Sequence, residues 1–164
     1  MKKYAVFASR ISVMTALVAV ATCMISVPIP PTRGYINVGD AMVMISALLF
    51  GPIVGMIAGG VGSALADMVL GYGWWAPYTL IIKGLEGFVA GLLYKKLRSK
   101  ILATLPAGAI MVLGYLLVET VLYGYGPALV ELPGNTFQAA FGIIVGICVA
   151  EAMEKRLKVK LPME

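Results

Sequence analysis

The sequence has no histidine, only two cysteines and little charge: 13% of its 164 residues are Asp, Glu, Lys or Arg. A soluble domain carries about 25%. Each shortage excludes something. Without histidine there is no serine–histidine hydrolysis and no histidine-bearing metal site. Cys23 and Cys148 lack disulfide or metal spacing, lie in apolar segments and read as small packing residues. The GGVG at residues 59–62 follows no strand and precedes no Lys-Ser or Lys-Thr, so the chain has no phosphate loop of its own.

What remains is hydrophobicity. Sixty per cent of the residues are hydrophobic and the mean hydropathy is +0.93. The chain is an integral membrane protein, and spans of about 20 apolar residues leave room for about five or six. The net charge of +5 does not point to nucleic acid, because the basic residues sit at span ends. The N-terminus imitates a signal sequence, down to a lipobox-like VATC at residues 20–23. Arg10, Thr22 and the apolar chain beyond Cys23 argue against cleavage.

Six helices are expected in one membrane domain over 1–164, at about 4–27, 38–50, 53–70, 77–94, 101–123 and 135–157. The prolines of PIPPTRGYIN (28–37) predict a loop, and GYGPALVELPGN (124–135), which has no Lys or Arg, reads as another. Gly51-Pro52 makes a tight reversal. Lys2, Lys3, Arg10 and the basic clusters at 95–100 and 155–160 fall on one side, with only Arg33 on the other. The fold class is therefore an all-α six-span bundle with both termini cytoplasmic.

Polar residues inside the spans gather toward the outer side. Asp40 sits in the first turn of the second helix, where capping is its plainest role. Asp67 lies near the outer end of the third. Lys83 and Glu86 lie about 9–14 Å below the start of the fourth, spaced to pair with each other. Glu119, Asn135 and Gln138 complete the set, with no evident local partner. Intramembrane ionisable residues mark binding or transport sites. Trp74, Trp75 and Tyr78 stand at the boundary, as interface anchors or as a wall for a flat ring. The inner half is apolar, which describes a cup open to the outside rather than a channel. An acid dyad of Asp40 and Asp67 is the one enzymatic alternative.

On the first helix Ala8, Ser12, Thr15, Ala16 and Ala19 share one side with Ala5, Ser9 and Cys23. Small residues let another backbone approach, within the bundle or from a partner.

The stretch from Gly34 to Tyr72, with APYTLIIKGLEGFVAGLL (76–93) and LPGNTFQAAFG (132–142), resembles the substrate-binding S components of energy-coupling factor (ECF) vitamin transporters. The likeness covers about 10–146 and is nearest the riboflavin, hydroxymethylpyrimidine and pyridoxine branch. The resemblance implies capture of a small aromatic vitamin or precursor from outside, with the outer loops as a lid and no cofactor. It further implies docking through the first-helix stripe onto a transmembrane T subunit driven by two cytoplasmic ATPases, in a bacterial or archaeal cytoplasmic membrane. Val20 stands four residues after Ala16, so the family's alanine spacing does not run on. A solitary carrier without a motor is the alternative the same sequence allows.

Overall fold

The computed structural model describes residues 2–157, as six helices and one β-hairpin: α1 Lys2–Met24, β1 Ser26–Ile29, β2 Gly34–Asn37, α2 Gly39–Phe50, α3 Pro52–Val69, α4 Ala76–Leu97, α5 Lys100–Tyr123 and α6 Tyr125–Leu157. Five of the helices are long and apolar enough to cross a membrane; α2 is too short. Met1, and Lys158 and Lys160 of the C-terminal basic cluster, lie outside the described residues.

The short helix is the centre. Ten of the twelve residues of α2 are buried, and it touches α1, α3, α4 and α6. It lies among helices that are long and apolar enough to span. Gly51, at φ 87°, turns the chain into α3 in a conformation that a side chain would oppose. The α3–α4 contact is backbone against backbone. A β-carbon at Gly59 would stand 2.6 Å from the Lys83 carbonyl oxygen, and one at Gly60 2.6 Å from that of Leu80. Helices with no hydrophobic force between them associate through such small-residue seams.

Two apolar clusters fill the half of the bundle remote from the hairpin, one around Val43, Leu48 and Val54, the other around Met44, Ala90 and Ala107; a third, of Ile82, Met111 and Ala139, packs against Tyr115. The buried acids, amides and Lys83 lie in the other half.

Two expected loops are structured. Residues 28–37 contribute most of an antiparallel hairpin in which Val27 pairs with Ile36 and Pro28 with Tyr35. A two-stranded ribbon has free edges, so Pro28 is tolerated where a central strand would reject it. The second is larger: α6 begins at Tyr125, so the segment 125–134 is helical and Pro133 sits inside it. Proline inside a membrane helix is accommodated when neighbours satisfy the freed backbone groups. This extra helix brings Glu131 inward.

The α1 helix packs chiefly against α3 and α2 and also meets β2. It packs through Met14, Val18 and Thr22, which are buried, while Ala5, Ala8, Ser9, Ser12 and Ala16 are exposed and Thr15, Ala19 and Cys23 half-buried. The exposed part of the small-residue stripe is free of internal packing, whereas the Thr15 hydroxyl is buried and the Thr15 carbonyl oxygen packs against Gly62 of α3. Cys148 is exposed and Cys23 free, so the packing role expected of Cys148 is not the one it has.

The α3–α4 seam can be tested. Gly59→Val would drive methyls at the Lys83 carbonyl oxygen and at Val43 Cγ1, 2.9 Å from the new β-carbon. It should destabilise the protein by about 1–3 kcal/mol, read as a lower melting temperature in detergent. An unchanged melting curve would mean that the seam is not closed at this point.

Candidate functional site

Lys83 points into the bundle and is 1% exposed. An ammonium there needs counter-charges. Asp40 of α2 provides one by direct ion pair and hydrogen bond, and Glu86, one turn along α4, stands 3.7 Å away. Asp40 makes no side-chain capping bond to its own helix, so its role is this pair. The Lys83 ammonium also lies 5.5 Å from the centroid of the Tyr115 ring, within reach of the ring's negative face.

Above this floor the hairpin closes over the bundle, held by side chains of three helices. Thr32 donates to Glu131 of α6. Trp75 Nε1, at the start of α4, donates to the Arg33 carbonyl oxygen at 3.1 Å. The Tyr35 hydroxyl donates to Asp67 Oδ1 of α3 at 2.6 Å. The Asn37 amide donates to Gln138 Oε1 of α6. Two glycines permit the approach: a β-carbon at Gly34 would stand 2.7 Å from Glu131 Oε1, and one at Gly134 would strike Ile36. Burial, and then the adjacent Asp67 carboxyl, hold the Tyr35 phenol well above its usual range, so it remains a donor.

Between hairpin and floor lies a cavity of about 20 Å³, near the least that admits a water molecule. Of the residues expected to form the site, Asp67, Lys83, Asn135, Gln138 and Trp75 line it. The others stand back from it. Asp40 and Glu86 lie behind Lys83, and Glu119 lies behind Asn135, whose Nδ2 donates to Glu119 Oε1 at 3.1 Å. Trp74 is 54% exposed and donates to the Tyr123 hydroxyl at 3.0 Å. Tyr78 meets both tryptophans edge-on.

The three polar residues with no expected partner are therefore partners of one another, since Gln138 Nε2 also reaches Asn135 Oδ1 at 3.4 Å. The lysine expected to pair within α4 pairs more closely across to α2. Sequence reasoning missed Thr22, Tyr35, Asn37, Ser63, Thr79, Tyr115 and Glu131, which also line the cavity. Tyr35, Asn37 and Glu131 were hidden by being assigned to loops; Ser63 and Thr79 carry no signal beyond mild polarity. Tyr35, Trp75 and Tyr115 give the chamber aromatic walls suited to a flat ring.

A family model described as "ECF-type riboflavin transporter, S component" matches residues 7–155. The chain is 48% identical over 143 residues to an "Uncharacterized protein in gap 3'region" of Pyrococcus woesei, covering 85% of this chain and 96% of that protein. It is 30% identical over 146 residues to the "Thiamine precursor transporter HmpT" of Lactococcus lactis subsp. cremoris, covering 88% of this chain and 86% of that one. A "UPF0397 protein" of Streptococcus pneumoniae is 37% identical over 75 residues, which is 46% of this chain and 41% of the other.

The Glu119–Asn135–Gln138 chain makes a stability prediction. Asn135→Ala strands the Glu119 carboxyl in the interior and should cost about 1–3 kcal/mol. Glu119→Gln keeps an acceptor for Asn135 Nδ2 and should cost less. Thermal unfolding of both variants gives the order; the reverse order would deny Asn135 its role as the partner of Glu119.

Proposed function

The chain belongs to the S components of ECF-type transporters, and on that footing we propose that it captures a small nitrogen-heteroaromatic vitamin or precursor from outside the cell. The candidates are of the hydroxymethylpyrimidine, pyridoxine or riboflavin type. The observation that carries this reading is the small chamber beneath the hairpin, polar and aromatic in its lining and backed by apolar packing. A continuous channel would need polar groups along its whole length. The family is a transporter component and not an enzyme. The carboxyls of Asp40 and Asp67 are engaged separately, by Lys83 and by Tyr35, which also argues against an acid dyad.

At about 20 Å³ the chamber is far below the roughly 300–1,000 Å³ typical of ligand sites. Entry therefore needs the hairpin to lift. Its bonds to Glu131, Trp75, Asp67 and Gln138 are the closure that would break on entry and re-form over the ligand. Trp75 and Tyr115, whose rings meet at 57° with centroids 6.0 Å apart, would form an aromatic corner against which the ring rests, with Asn135, Gln138 and Lys83 reading its edge. Asp40, Glu86 and Glu119 hold those three in place from behind.

Delivery inward would use a T subunit and two ATPases. The exposed Ala8, Ser12 and Ala16, with half-buried Thr15 and Ala19 beside them, offer a flank on which a partner helix can lie closely. The chain would sit in the cytoplasmic membrane of a bacterium or archaeon, with both termini inside and α2 enclosed by the spanning helices.

Two measurements test this. Ala16→Trp should abolish uptake by the full complex in vesicles while ligand affinity in detergent stays intact, because Ala16 faces away from the bundle. Loss of both would return the stripe to internal packing, and normal uptake without any partner would remove the motor from the scheme. Single cysteines placed in the 95–100 segment should react with an impermeant thiol reagent only from the cytoplasmic face. Reaction from outside would invert the topology.

A further inference from the structure

The chamber is not the only hollow. Toward the end of the bundle remote from the hairpin, α1 and the last residue of α2 border a groove of about 200 Å³, lined by Ser9, Arg10, Val13, Met14 and Phe50. The Arg10 guanidinium lies 5.5 Å from the centroid of the Phe50 ring, within cation–π reach. An arginine that needed only water would run its stem along α1 toward the helix end. This one is half-buried and reaches across to α2.

Its charge has no counterpart there. The ion pairs among the described residues are those of Lys83 with Asp40 and Glu86 and of Lys100 with Glu154; Arg10 belongs to none. The neighbouring Ser9 hydroxyl donates to the Val6 carbonyl oxygen at 2.8 Å, which turns its proton away from the groove. Lys3, two turns earlier on the same flank of α1, is exposed and adds charge of the same sign. A cation turned into an apolar groove in this way suits an anion that arrives with apolar surface of its own.

The order of side chains along that flank says which anion. From the start of α1, at about 100° per residue, Lys3 and Arg10 come first, followed by Val13, Leu17 and Val20, all exposed. Charge first and an apolar track after it is the order of a phospholipid in the leaflet at that end, headgroup before acyl chain. Free phosphate would engage the arginine and leave the track bare. Guanidinium and phosphate match through paired N–H donors, and basic pockets between spans are where anionic headgroups settle. We infer that the groove between α1 and the end of α2 binds an anionic phospholipid, its phosphate on Arg10 and an acyl chain along Val13 and Leu17. Ala8, Ser12 and Ala16 lie on a different side of α1, so the lipid and a helix on the small-residue stripe do not compete. The inference needs only a chain that lies in a membrane and does not rest on what the chamber holds.

The test is native mass spectrometry of the delipidated full chain with phosphatidylglycerol, phosphatidylcholine or inorganic phosphate. Phosphatidylglycerol should be retained one to one, at least about 10-fold more strongly than phosphatidylcholine, the lower end for a charge-assisted hydrogen bond. Excess inorganic phosphate should not displace it. Arg10→Gln should erase the preference, and Arg10→Lys, which keeps the charge without the fork, should weaken it. Val13→Trp, which fills the groove and leaves the charge, should remove the adduct. Lys96→Gln, in the other basic cluster, should change nothing. Equal retention of the two lipids overturns the inference, as does an unchanged preference in folded Arg10→Gln. Full retention by Val13→Trp would mean that charge acts without the groove, and displacement by inorganic phosphate would mean an anion site that takes no lipid; either overturns it. Should the Arg10 and Val13 variants fail to fold, Lys96→Gln still decides, because loss of the preference there would move the lipid to the 95–100 segment.

Discussion

A fully buried ammonium, that of Lys83, dictates much of this architecture. It is stable inside the bundle only because α2 presents Asp40 and α4 presents Glu86 to it, and an uncompensated charge at that depth costs several kcal/mol. Asp40 can reach it because α2 is short and starts below the hairpin. Gly142 of α6 lets α2 come close, since a β-carbon there would stand 2.7 Å from Asp40 Cβ. The backbone of Lys83 is itself pressed against Gly59. The floor of the chamber is thus fixed by one charge cluster shared between α2 and α4, with α3 and α6 packed closely against it through Gly59 and Gly142.

The hairpin obeys the opposite rule. It contributes little apolar burial of its own: Val27 is 53% exposed, and its attachment to the bundle runs through hydrogen bonds to Glu131, Trp75, Asp67 and Gln138. Its turn ends on Arg33 at φ 51°, a conformation that non-glycine residues adopt at some cost. A segment held by polar contacts and a strained turn belongs to the low-stability end of a fold, where local opening is cheapest. Floor and roof differ in kind: charge and close packing below, separable hydrogen bonds above.

The membrane class, the helix order and the gathering of Asp67, Lys83, Asn135 and Gln138 at one level of the bundle were legible in the sequence, because a polar residue in an apolar run is conspicuous and rise per residue gives its depth. What sequence could not supply was lateral pairing. Spacing along α4 joins Lys83 to Glu86, whereas the closer partner, Asp40, lies 43 positions away. Proline was the other source of error. Pro28 reads as a chain breaker yet sits on a ribbon edge, and the segment around Pro133, taken for a loop, is helical; with them Tyr35 and Glu131 passed for loop residues. The α1 stripe was visible as a pattern, but only its exposure separates an outward face from an inner seam.

The four roof bonds also set a timetable. They span three helices, so the opening proposed above would have to break them together and would be slow beside the diffusion of a small molecule. Arrival and departure would share that gate. An occupant that adds its own contacts to Asp67 or Gln138 raises the barrier to leaving without raising the barrier to entry, which is paid before it arrives. Affinity would then be written almost entirely in the off-rate, as it is for most variants of one interface. Residence would outlast the time needed to meet a partner in the plane of the membrane, so a carrier with few copies could wait, loaded, for its motor.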